Sequence, residues 1–270
     1  MNYKHSRFFL IFPFGLYFLF SLSAALFIQF IFLPYLYPSL HLYDGLIDYG
    51  DWIYYHNLGI KYAEVIRENG WSSWQLKPKN WGILGFISAI YSFTDIYKPF
   101  VLIPFIALIN ALGGFSLFLI LRKIFNSRSI SFYATLPFLL VPSSFLWVTQ
   151  IMKDVFTINA VLMFLCAFLY FYSLATKKIE NNLKDIYLNI FLIFFLFISS
   201  IFIFYLIRPY LFYVSLVYYF LFLFLTSIYL ILKYLNKKLI SINLYIFIFI
   251  NIFFMSTYFI THNIHQTDSQ

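Results

Sequence analysis

Seven apolar runs, each close to the length of a membrane-crossing helix, constrain this chain more than any other feature. They fall at about 8–33, 99–121, 130–147, 155–176, 186–207, 209–232 and 239–260. A helix rises about 1.5 Å per residue, so roughly 20 apolar residues cross the hydrocarbon core of a bilayer. In that core each backbone N–H and C=O must find its partner inside the protein, and an unbroken apolar run does so as a helix. Composition agrees: of 270 residues, 63% are apolar and 10% charged, against about 45–50% and about 25% in a soluble domain. So few charges cannot cover a soluble surface of this size. Soluble enzymes, nucleic-acid-binding domains, disulfide scaffolds and disordered chains are excluded together. The expected fold is an all-α integral membrane protein with about seven transmembrane helices. Cys166 is the only cysteine, so no intramolecular disulfide forms.

The first run has a basic start and small residues at Ser23-Ala24-Ala25, which resembles a signal peptide. Leu26 to Leu33 carries the apolar run past any cleavage point, so it reads as an uncleaved anchor. The net charge of +8 has to be divided between the two sides of the membrane before it says anything about partners, and no nucleic-acid partner is expected. With the N-terminus inside, the inner segments hold 11 Lys/Arg against two acids, Glu180 and Asp185. The outer segments hold the other 7 Lys/Arg and 8 acids. This follows the excess of Lys and Arg in cytoplasmic loops. An odd number of spans then places the tail, 261–270, outside.

Most of the outer protein is one loop, about 34–98. After Pro34 and Pro38 comes an acidic stretch from Tyr43 to Asp51, then a helix predicted over Trp52–Asn69 that stops at Gly70. Trp52, Tyr55, Gly59, Tyr62, Ala63 and Ile66 share one face, with Lys61, Glu64, Arg67 and Glu68 opposite. A helix this short and charged is expected in the interface plane, with Trp71, Trp74 and Trp81 at headgroup level. Residues 82–93 are apolar but too short to span, so they dip into the membrane or pack against the bundle.

Walker loops, GxGxxG, GxSxG, HExxH and paired CxxC are absent from the sequence. His262 and His265 have a spacing metals use, but a solvated tail is the simpler reading, and neither metal nor cofactor is assigned. The chemistry-bearing residues are ionisable groups at the outer ends of spans. Asp51 precedes an apolar-periodic helix and reads as its N-cap, a position that also suits a general base. Asp44 and Asp48 lie near it; together the three acids offer a divalent cation a site, or are simply solvated. Lys153 and Asp154 open the fourth span, where Asp154 favours the helix dipole and Lys153 either snorkels or binds an anion. Arg208 has about twenty apolar residues on either side. An arginine there is costly without a partner: either it pairs with Asp154 or a headgroup, or it clamps a lipid-linked phosphate. A base, cations and membrane access together suit attack of a hydroxyl on an anomeric carbon with departure of a lipid phosphate.

Gly50-Asp51-Trp52-Ile53-Tyr54-Tyr55 after a first span, running on to Ala63 and Gly70, resembles the membrane glycosyltransferases of class C (GT-C) of the protein mannosyltransferase and aminoarabinose transferase type. Pro78-Lys79-Asn80-Trp81-Gly82, Pro104, Asn110-Ala111-Leu112-Gly113-Gly114, Leu121 to Phe125 and Pro142 are similar too. The resemblance is clearest over about residues 8–176, the class's conserved N-terminal module. It implies a polyprenyl-phosphate-sugar donor, a glycan or lipid acceptor, and Asp51 in the place of the first-loop catalytic aspartate. Lys153-Asp154 falls where many members carry a charge at the start of the fourth helix, and Arg208 is carried over as a phosphate ligand. Members usually continue into further helices and often an extracytoplasmic domain, so the chain reads as a minimal, truncated or inactive member. It also implies a bacterial cytoplasmic membrane with the active face outward. A polysaccharide polymerase or O-antigen ligase type of protein ranks second, because its main outer loop usually comes late in the chain. A non-enzymatic membrane subunit predicts that Asp51 is dispensable. A transporter is disfavoured, since its charges lie nearer the midplane in two related halves.

Overall fold

The computed structural model describes residues 8–176 and 183–235. Among these the protein is built of helices and turns, with one isolated antiparallel bridge, His41 to Ile47, and no strand. Helix α1 is Phe8–Phe27 and continues as a π-helical stretch, Ile28–Leu36. The others are α2 Asp51–Asn69, α3 Gly82–Thr94, α4 Ile103–Phe125, α5 Arg128–Leu140, α6 Pro142–Thr149, α7 Lys153–Thr176, α8 Leu183–Ile207 and α9 Pro209–Leu235.

Four segments are long and apolar enough to cross a membrane: Phe12–Leu36, Pro99–Phe125, Lys153–Leu174 and Asn189–Ile207. The expected seven spans are thus four among the described residues, or five if a bent pair counts as one. The run expected as one span at 130–147 is that pair, a broken segment in which α5 and α6 meet at a bend of 67°. Pro142 has no amide hydrogen, and its ring pushes the residue before it out of the helical region. Val141 accordingly sits at φ −61° and ψ 133°. The span expected at 209–232 begins as α9, but its described apolar part, Pro209–Phe222, is too short to qualify. The run at 239–260, the tail and the His262–His265 pair lie outside the described residues. The coarse expectation holds among the described residues: they are helical without strands, and four to five of the apolar segments are long enough to cross a membrane, compatible with a multi-pass membrane protein.

The chain divides into two compact units, Met1–Ala167 with Phe194–Ser215, and Phe168–Ile193 with Leu216–Gln270. In the second, Phe168 packs its ring edge-on against Phe222 at 4.6 Å between centroids, and Phe171 meets the same ring at 5.8 Å. In the first, α1 runs along α4, α4 along α5, and α2 along α3. Three of its helices are tied by a polar chain in the apolar interior. The Asn110 amide donates to Ser21 Oγ at 3.0 Å, and the Asn159 amide donates to Asn110 Oδ1 at 3.3 Å. Polar groups in such surroundings are costly unless paired, so this chain sets the mutual rotation of α1, α4 and α7.

Of the two outcomes expected for residues 82–93, packing is the one observed. Ile83, Leu84, Ile87 and Tyr91 of α3 are fully buried, in one cluster with Ala63 of α2, Ile106 of α4 and Val155 of α7. The start of α3 presses on the end of α8: a Cβ at Gly82 would come within 2.4 Å of the Leu206 carbonyl oxygen. Neither backbone can swing away as a side chain would. Gly82→Ala is therefore expected to cost about 1–3 kcal/mol by overpacking, read as a lower thermal midpoint in detergent. An unchanged midpoint would show that α3 and α8 do not approach so closely.

Candidate functional site

The site begins with the segment between the π-helical end of α1 and the start of α2. Its chain turns sharply, with Asp44, Gly45 and Tyr49 all at positive φ. Gly45 has a second reason to be glycine: a Cβ there would lie 2.8 Å from the Gln29 side chain. The segment is fastened to the start of the α6–α7 connection by one fully buried side chain, Gln150. Its Oε1 accepts from the Ile47 amide at 3.2 Å, and its Nε2 donates to the Gly45 carbonyl at 3.1 Å. Beside it, Gln29 Nε2 donates to the Thr149 carbonyl at 2.5 Å. Trp52 Nε1 closes the turn by donating to the Ile47 carbonyl at 2.6 Å. The piece of chain just before Asp51 is thereby held against the piece just before Lys153.

Asp51 is the first residue of α2, and the expectation that it caps the helix is corrected. Gly50 occupies the cap position with extended backbone (φ −147°, ψ 159°), and no side chain caps the helix start. The turn closed by Trp52 places Gly50, one residue earlier, where the chain enters the helix. The Asp51 carboxylate is exposed and makes no hydrogen bond or ion pair among the described residues. Its neighbours in sequence are engaged elsewhere: Asp44 pairs with Lys98 at 3.3 Å, and Asp48 Oδ1 accepts from the Tyr49 amide at 2.9 Å. Among the described residues no group of three His, Cys, Asp or Glu side chains comes together that could hold a metal.

Lys153 opens α7. Its ammonium lies 4.5 Å from the centroid of the Trp81 ring and 5.0 Å from that of Tyr55, with no ion pair among the described residues. Trp81 meets Tyr55 and Tyr54 edge-on at 5.7 and 5.5 Å, within the unit's packing. Asp154 accepts a hydrogen bond from Arg208 Nη2 at 3.1 Å, so the pairing foreseen as one alternative for Arg208 is the arrangement present. Arg208 stands at the break between α8 and α9, its amide donating to the Phe204 carbonyl at 3.0 Å. Pro209, lacking an amide hydrogen, starts the next helix where none is needed. The Arg208 Nε is buried without a hydrogen-bond partner. The side chains of Arg208 and Asp154 keep 36% and 48% of their surface, so water screens the pair and it contributes about 1 kcal/mol or less.

Tyr55 is the hub of the group. Burial pushes its phenol above the ordinary 10, the Asp51 carboxylate pushes it further, the Arg208 guanidinium opposes this, and Asp154 adds to it. Asp51, Asp154 and Arg208 thus act on one ring, which also underlies the Lys153 ammonium. All four residues singled out in the sequence meet at one end of the first unit. On the same end Lys77 Nζ lies over the Tyr205 ring, 3.0 Å from its centroid. Sequence reasoning missed the parts played by Gln150, Trp81, Tyr55 and Lys77. Only Tyr55 carried a local signal, standing four residues after Asp51 and hence on the same helical face.

His56 was also overlooked. It is buried between α2 and α3, where its Nδ1 shares a hydrogen bond of 2.8 Å with the Tyr91 hydroxyl. Burial lowers its pKa below 6.5, against a smaller opposing pull from Asp44. The folded protein therefore holds the ring neutral where the unfolded chain would protonate it. Its contribution to stability is complete above about pH 6.5 and is lost as pH falls from there toward the lowered folded value. Wild type should lose stability between pH 7.5 and 5.5 by more than His56→Gln does, in matched thermal unfolding. Parallel pH dependence in the two proteins would refute this.

Comparison with family models, with curated proteins and with solved structures returns no match in any of the three.

Proposed function

We propose that the protein is a membrane glycosyltransferase that moves a sugar from a polyprenyl-phosphate-linked donor to an acceptor hydroxyl. The reaction takes place at the outer face of a bacterial cytoplasmic membrane, in assembly of a cell-envelope glycan or glycoconjugate. The N-terminus is cytoplasmic in this reading. The observation that carries it is the exposed Asp51 carboxylate, which acts on the same Tyr55 ring as the Lys153 ammonium, neither of them in an ion pair among the described residues. The GT-C resemblance of residues 8–176 supports it from the sequence side.

In the reaction the acceptor oxygen attacks the anomeric carbon while its proton passes to Asp51. The bond from that carbon to the phosphate oxygen breaks, and the electron pair leaves with the polyprenyl phosphate. Lys153 and the part-exposed guanidinium of Arg208 stabilise the charge that develops on that phosphate. Asp154 holds the guanidinium in place. Catalysis by a positioned base is worth about 10²–10⁴-fold.

The 3.1 Å Arg208–Asp154 pair also favours a second reading for these two residues, as the structural tie of a non-enzymatic membrane subunit. Turnover separates the two. Purified protein in nanodiscs is offered radiolabelled polyprenyl-phosphate sugars, and release of sugar or transfer to a cell-envelope extract is followed for wild type, Asp51→Asn and Arg208→Ala. Turnover that disappears in Asp51→Asn supports the transferase. No turnover with any donor, together with full cellular function of Asp51→Asn, leaves the subunit.

A further inference from the structure

We infer that Tyr55 and Trp81 are positioning residues that seat the Lys153 ammonium, without an ion pair among the described residues, beside the first turn of α2 that Asp51 opens. Lys153 has a carboxylate next to it in sequence, yet Asp154 is engaged by Arg208 at 3.1 Å. Its ammonium is instead held over two aromatic faces, Trp81 at 4.5 Å and Tyr55 at 5.0 Å. The difference matters physically. A carboxylate would hold the ammonium and cancel its charge, whereas the negative face of a ring attracts the cation and leaves its full charge for a third group. Tryptophan is the strongest such partner, and a partly desolvated cation gains more from it than an exposed one.

The seat is rigid because its two rings belong to different elements and brace each other. Tyr55 sits on α2, buried and one helical turn after Asp51. Trp81 immediately precedes α3, where Gly82 abuts the α8 backbone. The rings meet at an interplanar angle of 82° with centroids 5.7 Å apart. Lys153 is the first residue of α7, so the seat joins the starts of three helices and fixes where the charge lies relative to Asp51. The use made of that charge, attraction of a leaving phosphate, rests on the glycosyl-transfer reading; the seat itself does not.

The test reads the ammonium directly. Lysines are reductively methylated with ¹³C-formaldehyde, and the Lys153 resonance is assigned by its loss in Lys153→Arg. In wild type that signal is expected upfield of the other lysines, displaced by the two ring currents. Trp81→Leu should return it to the free-lysine position, and Trp81→Phe should keep a displaced signal. Where Trp81→Leu does not fold, Tyr55→Leu against Tyr55→Phe makes the same comparison. A wild-type Lys153 signal at the free-lysine position, or one unmoved by loss of either ring, overturns the inference. In nanodiscs turnover should fall in Trp81→Leu and return in Trp81→Phe. A displaced signal in a protein that turns over no donor removes the transferase reading and leaves the seat standing.

Discussion

Asp51→Asn is expected to lower transferase turnover by about 10²–10⁴-fold while leaving the fold intact. The substitution keeps the size of the side chain and removes only its capacity to take a proton. No hydrogen bond or ion pair is lost with it among the described residues, because the carboxylate makes none. What disappears is a negative charge in the first turn of α2, which favours the helix dipole by about 0.3–1 kcal/mol. For a chain of this size that is a fall in thermal midpoint of at most about 2–4 °C. Asp48→Asn is the matched control. It lies three residues away, its carboxylate already accepts from the Tyr49 amide, and turnover should survive its loss. Equal loss in both variants would mean that acidity of the whole segment matters and that no single base operates.

Gln150→Ala is expected to have the largest effect on stability. The fully buried side chain supplies an acceptor to the Ile47 amide and a donor to the Gly45 carbonyl. Alanine leaves both backbone groups without partners, at about 1–3 kcal/mol each where water cannot reach them. Some relaxation is expected, so the net loss is about 2–4 kcal/mol. The thermal midpoint in detergent should fall accordingly, and limited proteolysis should begin within 37–50, the segment that Gln150 fastens. Gln150→Glu keeps an acceptor for Ile47 but gives Gly45 no donor, so it should be destabilised as well. Turnover should drop in both, because the segment leads directly into Asp51. A Gln150→Ala protein with wild-type midpoint and digestion pattern would show that the clamp does not hold the loop.

Some of this was legible residue by residue. The helix expected over Trp52–Asn69 is observed as Asp51–Asn69, ending at Gly70 with φ 82°, a conformation that glycine adopts without penalty. The break between the fifth and sixth apolar runs falls at Arg208–Pro209, where a proline begins the new helix. These are local effects, decided by a residue and its immediate neighbours. The N-cap was misassigned by one position, because the turn closed from Trp52 to Ile47, and with it the backbone of Gly50, is not encoded in cap preference. The 67° bend at Pro142 needed knowledge that a proline late in an expected span divides it into two helices.

An all-helical, multi-pass character follows from the sequence for a simple reason. Apolar length and the pairing of backbone groups are settled inside each segment, so no partner need be known. The same holds for which residues stand at the ends of spans or open the helix of the outer loop, and Lys153, Asp154, Arg208 and Asp51 could be singled out that way. Folding alone settled which of those charges were already spent. Asp154 and Arg208, 54 residues apart, pair with each other, while Asp51 and Lys153 make no ion pair among the described residues. Gln150 reaches Gly45 across 105 residues, and Trp81 arrives beside Lys153 from the turn that precedes α3. Periodicity says which face of a helix is apolar. It does not say which neighbour that face will meet, and charge pairing depends on a few ångströms set by that meeting.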